Sequence, residues 1–128
     1  MPKRERLSEM SWGLLSRLLK NLALEIHLDN KDKGFYDDVN PEDPRHIVSI
    51  LALIHTEVSE AVEAVRRDPD APCDKPGVKL TALEEEWADG VIRLFDFASY
   101  MGIDLGRAIR LKHVYNQTRA LRHGGKRC

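Results

Sequence analysis

Aromatic residues make up only 6% of this 128-residue chain, which has two cysteines and no apolar run approaching the ~20 residues needed to span a bilayer. The missing run excludes a membrane-spanning helix. Cys73, in a proline-rich stretch, and Cys128 match no metal-ligand spacing and are expected to remain free thiols. The five histidines are scattered and show no zinc spacing. The segment Met1-Pro2-Lys3-Arg4-Glu5-Arg6 lacks the apolar centre of a signal peptide, so a soluble, cytoplasmic protein is the expectation. A net charge of −1 also argues against a nucleic-acid partner, because the chain as a whole is not basic.

What the chain does have is charge, at 32% of residues, and helical periodicity. Its length suits one domain, taken as residues 1–128, with a genuine core. Four helices are expected, with no strand and no repeat. The first runs from about Leu7 to Leu28, with an inner stripe of Leu15, Leu18, Leu22 and Ile26. A polar loop from Asp29 to Asp43 follows, and Asp43 is placed to cap the second helix, Pro44 to Arg67. That helix carries Ile47, Ile50, Leu51, Ile54, Val58, Ala61, Val62 and Val65 at three- and four-residue steps. The third, about Leu80 to Met101, carries Leu83, Trp87, Val91, Leu94, Ala98 and Met101 at the same steps, so the two stripes are expected to pack together. Gly102-Ile103-Asp104 turns the chain into a fourth helix, about Leu105 to Leu121, with Asp104 as its cap.

Two acidic motifs stand out. Glu57-Val58-Ser59-Glu60 and Glu86-Trp87-Ala88-Asp89 each set two carboxylates at i and i+3, on one helical face. The intervening segment, Asp68 to Lys79, holds three prolines and a glycine and is too short for a return crossover. The second and third helices therefore form an antiparallel hairpin. At 1.5 Å per residue, Glu57 and Glu60 sit about 10 to 15 Å before the end of one helix, and Glu86 and Asp89 about 9 to 14 Å after the start of the next. The four carboxylates are expected on the same side and at the same level. Gathered without cationic partners they repel, and a hydrated Mg²⁺ is the simplest compensation. A di-iron centre is not expected, since neither motif is Glu-x-x-His.

The cations are distributed unevenly. Seven of the 20 Lys and Arg, and none of the 21 Asp and Glu, fall after Asp104. Lys112, Asn116 and Arg119 share an arc of about 60° on the fourth helix, and Gly124-Gly125-Lys126 could bring backbone N–H groups and an ammonium to phosphate oxygens. A basic end beside an acidic metal cluster suits a polyphosphate substrate. Arg93 lies one turn beyond Asp89, placed either to touch phosphate or to hold Asp89 or Asp96. Trp12, Phe35 and Tyr36 are either packing residues or a wall for a nucleobase. Glu63, Glu84 and Glu85 point elsewhere and read as solvated.

The succession Glu57-x-x-Glu60, Glu86-x-x-Asp89, Gly102-Ile103-Asp104-Leu105 and Lys112-x-x-x-Asn116-x-x-Arg119 resembles the MazG-like, all-α nucleoside triphosphate pyrophosphohydrolases, over a motif core of residues 44–126. The resemblance implies an oligomeric four-helix bundle, as homodimer or homotetramer. It also implies Mg²⁺-dependent hydrolysis of a (deoxy)nucleoside triphosphate to monophosphate and pyrophosphate, in nucleotide-pool cleaning or regulation. Mn²⁺ is an expected substitute. By the same route Glu57, Glu60, Glu86 and Asp89 become metal ligands, and Lys112, Asn116 and Arg119 become ligands for the phosphates or sugar; Arg93 and Lys126 join them as candidate substrate ligands on their own positions, outside the resemblance. Glu57 or Glu60 is assigned as the catalytic base. Many relatives carry a further acidic residue just before the first motif, where this chain has Thr56, so no base can be transferred to that position.

Leftover apolar flanks, including Leu53, Ile92 and Phe95, are expected to join copies of the chain. Two other readings compete with the enzyme. One is a noncatalytic helical module that binds a metal or partner through the acidic cluster. The other is a hydrolase of the same fold acting on another phosphoanhydride.

Overall fold

A computed structural model describes residues 5–119; Lys126 and Cys128 lie outside the described residues. Its elements are four helices, α1 (Glu9–Asp32), α2 (Pro44–Arg67), α3 (Ala82–Tyr100) and α4 (Leu105–Gln117). No strand is present among the described residues. Only an isolated antiparallel bridge, Pro72 to Thr81, ties the base of the α2–α3 connection. Among the described residues no helix is long and apolar enough to cross a membrane.

Each helix begins where a side chain can accept an otherwise unpaired backbone N–H. Ser8 accepts from Ser11, Asp43 from Arg45, Thr81 from Glu84 and Asp104 from Arg107. At α3 the bond is reciprocal, because the Glu84 side chain accepts from the Thr81 N–H at 2.8 Å. Glu84 is therefore a helix cap as well as a solvated acid. Glu85 faces Lys75, whose Nζ lies 3.0 Å from it and 2.6 Å from Asp74. Glu63 pairs with Arg66 at 3.1 Å. Gly102, at φ 68°, supplies the left-handed residue that ends α3 and frees the chain to start α4.

The packing order is α2 on α3, α3 on α1 and α1 on α4, with α3 touching α4 beside their shared turn; α2 packs against neither α1 nor α4. Helix α3 is thus the centre of the described fold. Close approach of α1 and α4 depends on Gly106, where a Cβ would stand 2.6 Å from the Ser16 carbonyl oxygen. That contact rotates α1 relative to the stripe expected from the sequence. Ala23 is buried, Leu15, Leu19, Ile26, His27 and Asn30 are half-buried, and Leu18 and Leu22 are exposed. Small and polar groups form the α1 seam because the helices meet there closely and because α3 offers Asp96 as a partner.

The α2–α3 pair differs from expectation in a similar way. Its two apolar stripes do not close on one another. They line the walls of an open groove of about 470 Å³, with Val58, Val62 and Val65 on one side and Leu83, Trp87, Val91 and Leu94 on the other. Trp87 is 68% exposed. The buried seam runs instead through Ile54 and Glu57 of α2, against Gly90 of α3, where a Cβ would lie 3.7 Å from that of Glu57.

Few hydrophobic side chains among the described residues are buried: Ala23, Ile54, Phe97 and Ala98. The chain exposes 10559 Å², whereas a compact monomer of this mass exposes about 6,900 Å². A free chain of the length outside the described segment would account for roughly 2,100 Å² of that surface at most. An excess of surface therefore belongs to the helices themselves, and large apolar side chains such as Leu14, Val58 and Trp87 contribute to it.

Candidate functional site

At the α2–α3 seam, Glu57, Glu60 and Glu86 each offer a carboxylate oxygen within 4.8 Å of the others. The antiparallel hairpin produces this meeting because motifs near the end of one helix and the start of the next reach the same level. Glu57 is buried, Glu86 half-buried and Glu60 exposed, so the group forms a ladder from the interior to solvent. Asp89, half-buried one turn further along α3, is outside this close group. Three of the four carboxylates expected to gather do so.

The electrostatics are unbalanced. Burial, reinforced by Glu60 and then by the charges of Glu85 and Glu57, pushes Glu86 up to about 7. Burial is the first cause, and the three neighbouring carboxylates act in the same direction. One cation does reach it: Arg93 Nε donates to Glu57 Oε1. Arg93 therefore holds Glu57, neither of the two acids considered as its partners in the sequence. The guanidinium stays 45% exposed while the carboxylate it holds is 6% exposed.

The donor set is three carboxylates without thiolate or imidazole. Hard oxygen donors of this kind suit Mg²⁺ or Mn²⁺ rather than zinc or copper. Their spacing and unbalanced charge fit a divalent ion, although exposed acidic groups also cluster without one.

The substrate residues inferred from the sequence lie elsewhere. Lys112 and Asn116, on α4, and Arg119, just beyond it, are exposed. Helix α4 runs antiparallel along the N-terminal half of α1: Arg110 pairs with Glu9, the Trp12 ring centroid lies 5.9 Å from that of His113, and Arg6 donates to Gln117 at 2.9 Å. Helix α1 meets Asp96 at its opposite end, about 22 Å away along its axis. Within the chain the basic face and the carboxylates are thus held apart. Lys112 instead has its ammonium 4.8 Å from the Tyr115 ring centroid.

The aromatics also separate. Trp12 serves the α1–α4 contact, while Phe35 is 67% exposed and Lys33 is exposed beside it. Tyr36 stacks on Tyr100 at 4.4 Å and meets His27 edge-on at 4.8 Å.

That aromatic cluster surrounds a second buried acid that the sequence reading did not single out as a centre. Asp96 Oδ1 lies 2.9 Å from His27 Nδ1, and Asp96 Oδ2 accepts from Asn30 Nδ2 at 2.8 Å. Burial, with Asp96 as hydrogen-bond partner and charge, raises the Tyr36 hydroxyl well above its ordinary range. The signal was available: Asp96 is a lone acid within the apolar run Leu94-Phe95-Asp96-Phe97-Ala98, and His27 and Asn30 sit at i, i+3. A small cavity of about 70 Å³, lined by Phe35, Tyr36, Ile50, Leu53, Arg93 and Asp96 among others, lies between this cluster and the α2–α3 seam.

Comparison with protein-family models, with curated proteins and with solved structures gives no match in any of the three.

Proposed function

We propose that this chain is a Mg²⁺-dependent nucleoside triphosphate pyrophosphohydrolase of the MazG-like, all-α type. The observation that carries the reading is the meeting of Glu57, Glu60 and Glu86 across an antiparallel hairpin, with too little positive charge to balance them. These three residues, with Asp89 beside them, would hold Mg²⁺ or, in substitution, Mn²⁺. A bound divalent ion would supply neutralisation of charge on the phosphate oxygens.

The chain's own groups supply the rest. Glu60 is exposed and has no ion-pair partner among the described residues, so it is free to accept a proton. We assign it as the base in preference to Glu57, which is buried at the helix seam. Water oxygen bonds to the α-phosphorus, the bond from that phosphorus to the bridging oxygen breaks, pyrophosphate leaves, and the water proton passes to the carboxylate.

A second copy of the chain is proposed to cover the apolar groove. The surplus surface, roughly 1,600 Å² per chain even after allowance for the residues outside the described segment, is of the size one partner buries in an obligate dimer. Such a copy could also bring the Lys112, Asn116 and Arg119 face to a site that its own protomer does not reach. Nucleotide-pool cleaning or regulation is the role this chemistry would serve, and the cytoplasm is the compartment where its substrates lie.

The test is pyrophosphate release from the common ribo- and deoxynucleoside triphosphates and dUTP, with Mg²⁺ and with chelator, identifying both products. Metal-dependent formation of monophosphate and pyrophosphate is expected. Release of orthophosphate, or no turnover on any nucleotide, would favour another phosphoanhydride or the noncatalytic module.

A further inference from the structure

Glu57 is among the most enclosed carboxylates among the described residues, at 5% exposure, yet its partner is a guanidinium nearly half open to solvent. A buried carboxylate needs a compensating group, and removing that group leaves a costly uncompensated charge. Arg93 is therefore required when no other cation is present. It is also poorly fixed, since Glu57 is its one ion-pair partner among the described residues and its side chain borders solvent.

The geometry gives the guanidinium an alternative position. Arg93 lines both sides of the question: its Nε reaches Glu57 at the α2–α3 seam, and its side chain borders the small cavity beside Phe35 and Tyr36. Asp96, one turn further along α3, forms part of the same cavity wall. Asp96 is hydrogen-bonded to His27 and Asn30 in the present arrangement, and a carboxylate there favours a cation nearby.

We propose that Arg93 is a tethered placeholder cation: it holds Glu57 in the metal-free protein and gives up that carboxylate when a divalent ion binds, moving towards the cavity bordered by Asp96. This inference rests on the metal-binding reading of Glu57, Glu60 and Glu86. Arg93 acts on the metal through Glu57 and is a positioning residue. The exchange conserves charge compensation at the buried acid, because one cation replaces another, and it couples occupancy of the carboxylates to the position of a guanidinium about one turn away. No bond other than hydrogen bonds and metal coordination is made or broken.

Two measurements on the full-length protein test it. Titration calorimetry with Mn²⁺ compares the parent chain with R93M and with R93Q, the latter keeping a hydrogen-bond donor should R93M fail to fold. Both variants are expected to bind Mn²⁺ about fivefold more tightly, the order of effect of one partly exposed ion pair. In parallel, the Arg93 Nε–H resonance of ¹⁵N-labelled parent protein, assigned by its loss in R93Q, is followed through a Mg²⁺ titration. It is expected to move as the ion saturates the site.

Equal or weaker Mn²⁺ binding by a folded variant overturns the exchange while leaving the metal site standing. So does an Arg93 resonance that stays in place while the parent protein binds Mg²⁺, because Glu57 would then accept the ion and the guanidinium together. Absence of binding to parent and variants alike overturns the metal reading and the exchange with it. Binding only by the variants would show the placeholder holding its position against the ion, which also overturns exchange.

Discussion

The two faces of α3 each bury a carboxylate, and they do so in opposite ways. Towards α1, Asp96 accepts from His27 and Asn30, groups fixed by the same helix face, and packs against stacked tyrosines. Towards α2, Glu57 is held by a single solvent-bordered guanidinium and crowded by Glu60 and Glu86. A buried acid bonded at both oxygens by side chains of one neighbouring helix fixes that helix in place. A buried acid with a replaceable partner and acidic neighbours is poised to receive a cation. The difference separates structure from candidate chemistry within one helix.

The comparison breaks most sharply if substitution on the α2 side leaves function untouched. Glu60→Ala is expected to lower pyrophosphate release by roughly 10²-fold or more, the usual size of a lost general base. Circular dichroism and the melting temperature should remain near the parent's, because Glu60 is exposed and makes no ion pair among the described residues. An active Glu60→Ala would remove both the base assignment and the main support for the enzyme reading.

The α1 side should show the reverse pattern. His27→Ala leaves a buried acceptor short of a donor and is expected to cost roughly 2 kcal/mol. For a domain of this size that lowers the melting temperature by several degrees, about 4 °C or more per kcal/mol for the smaller domains. Turnover per folded molecule should stay near the parent's. A large loss of turnover without loss of stability would mean that the Asp96 cluster belongs to the site.

The α2 side of this contrast was largely legible in the sequence, whereas the Asp96 cluster was not. The caps Asp43 and Asp104, the turn at Gly102 and the hairpin at the prolines between Asp68 and Lys79 are local signals, and the helices follow them closely. The meeting of Glu57, Glu60 and Glu86 follows from the same local geometry. Rotation of each helix about its axis was less legible. Periodicity identifies an apolar stripe, but not whether that stripe meets a helix of the same chain. Gly106 draws the α1 and α4 backbones together and brings Ser16 into their seam, and Glu57 is buried beside Gly90, while Val58, Val62 and Trp87 are left facing a groove. The position of α4 was the least legible, because the spacing of Lys112, Asn116 and Arg119 defines a face without stating what it faces.

Acidity offers a finer test of the α2 side. Glu86 is raised from 4.5 to about 7 in the folded protein. Between those values the folded state binds more protons than the unfolded state, so stability declines as pH rises through that window. In chelator, the melting temperature of the parent should fall relative to that of Glu86→Gln between pH 5 and pH 8. Divalent cation should restore the parent at the alkaline end and have progressively less effect below pH 7, where a proton competes for the same carboxylate. Parallel melting curves for parent and Glu86→Gln would place the excess negative charge elsewhere.

The smallest effect concerns how closely α3 must approach α2. A Cβ at Gly90 would lie 3.7 Å from the Cβ of Glu57, an ordinary contact, and Gly90 sits within a helix at negative φ. Gly90→Ala is expected to stabilise the chain by roughly 0.5–1 kcal/mol, the gain in helix propensity. The corresponding change at Gly106 should destabilise it, since the added carbon meets the Ser16 backbone at 2.6 Å and no side-chain rotation can relieve the overlap. The signs should therefore be opposite in thermal melts. If Gly90→Ala also destabilised the protein, the helices would have to sit closer at Glu57 than they do here. The carboxylate group would then be more enclosed, with less room for Arg93 to leave it. If the substitution is stabilising and Mn²⁺ affinity is unchanged, the separation at Glu57 is set by the side chains of the seam rather than by the bare glycine. The α2 face can then exchange its cation without moving the helix that carries it.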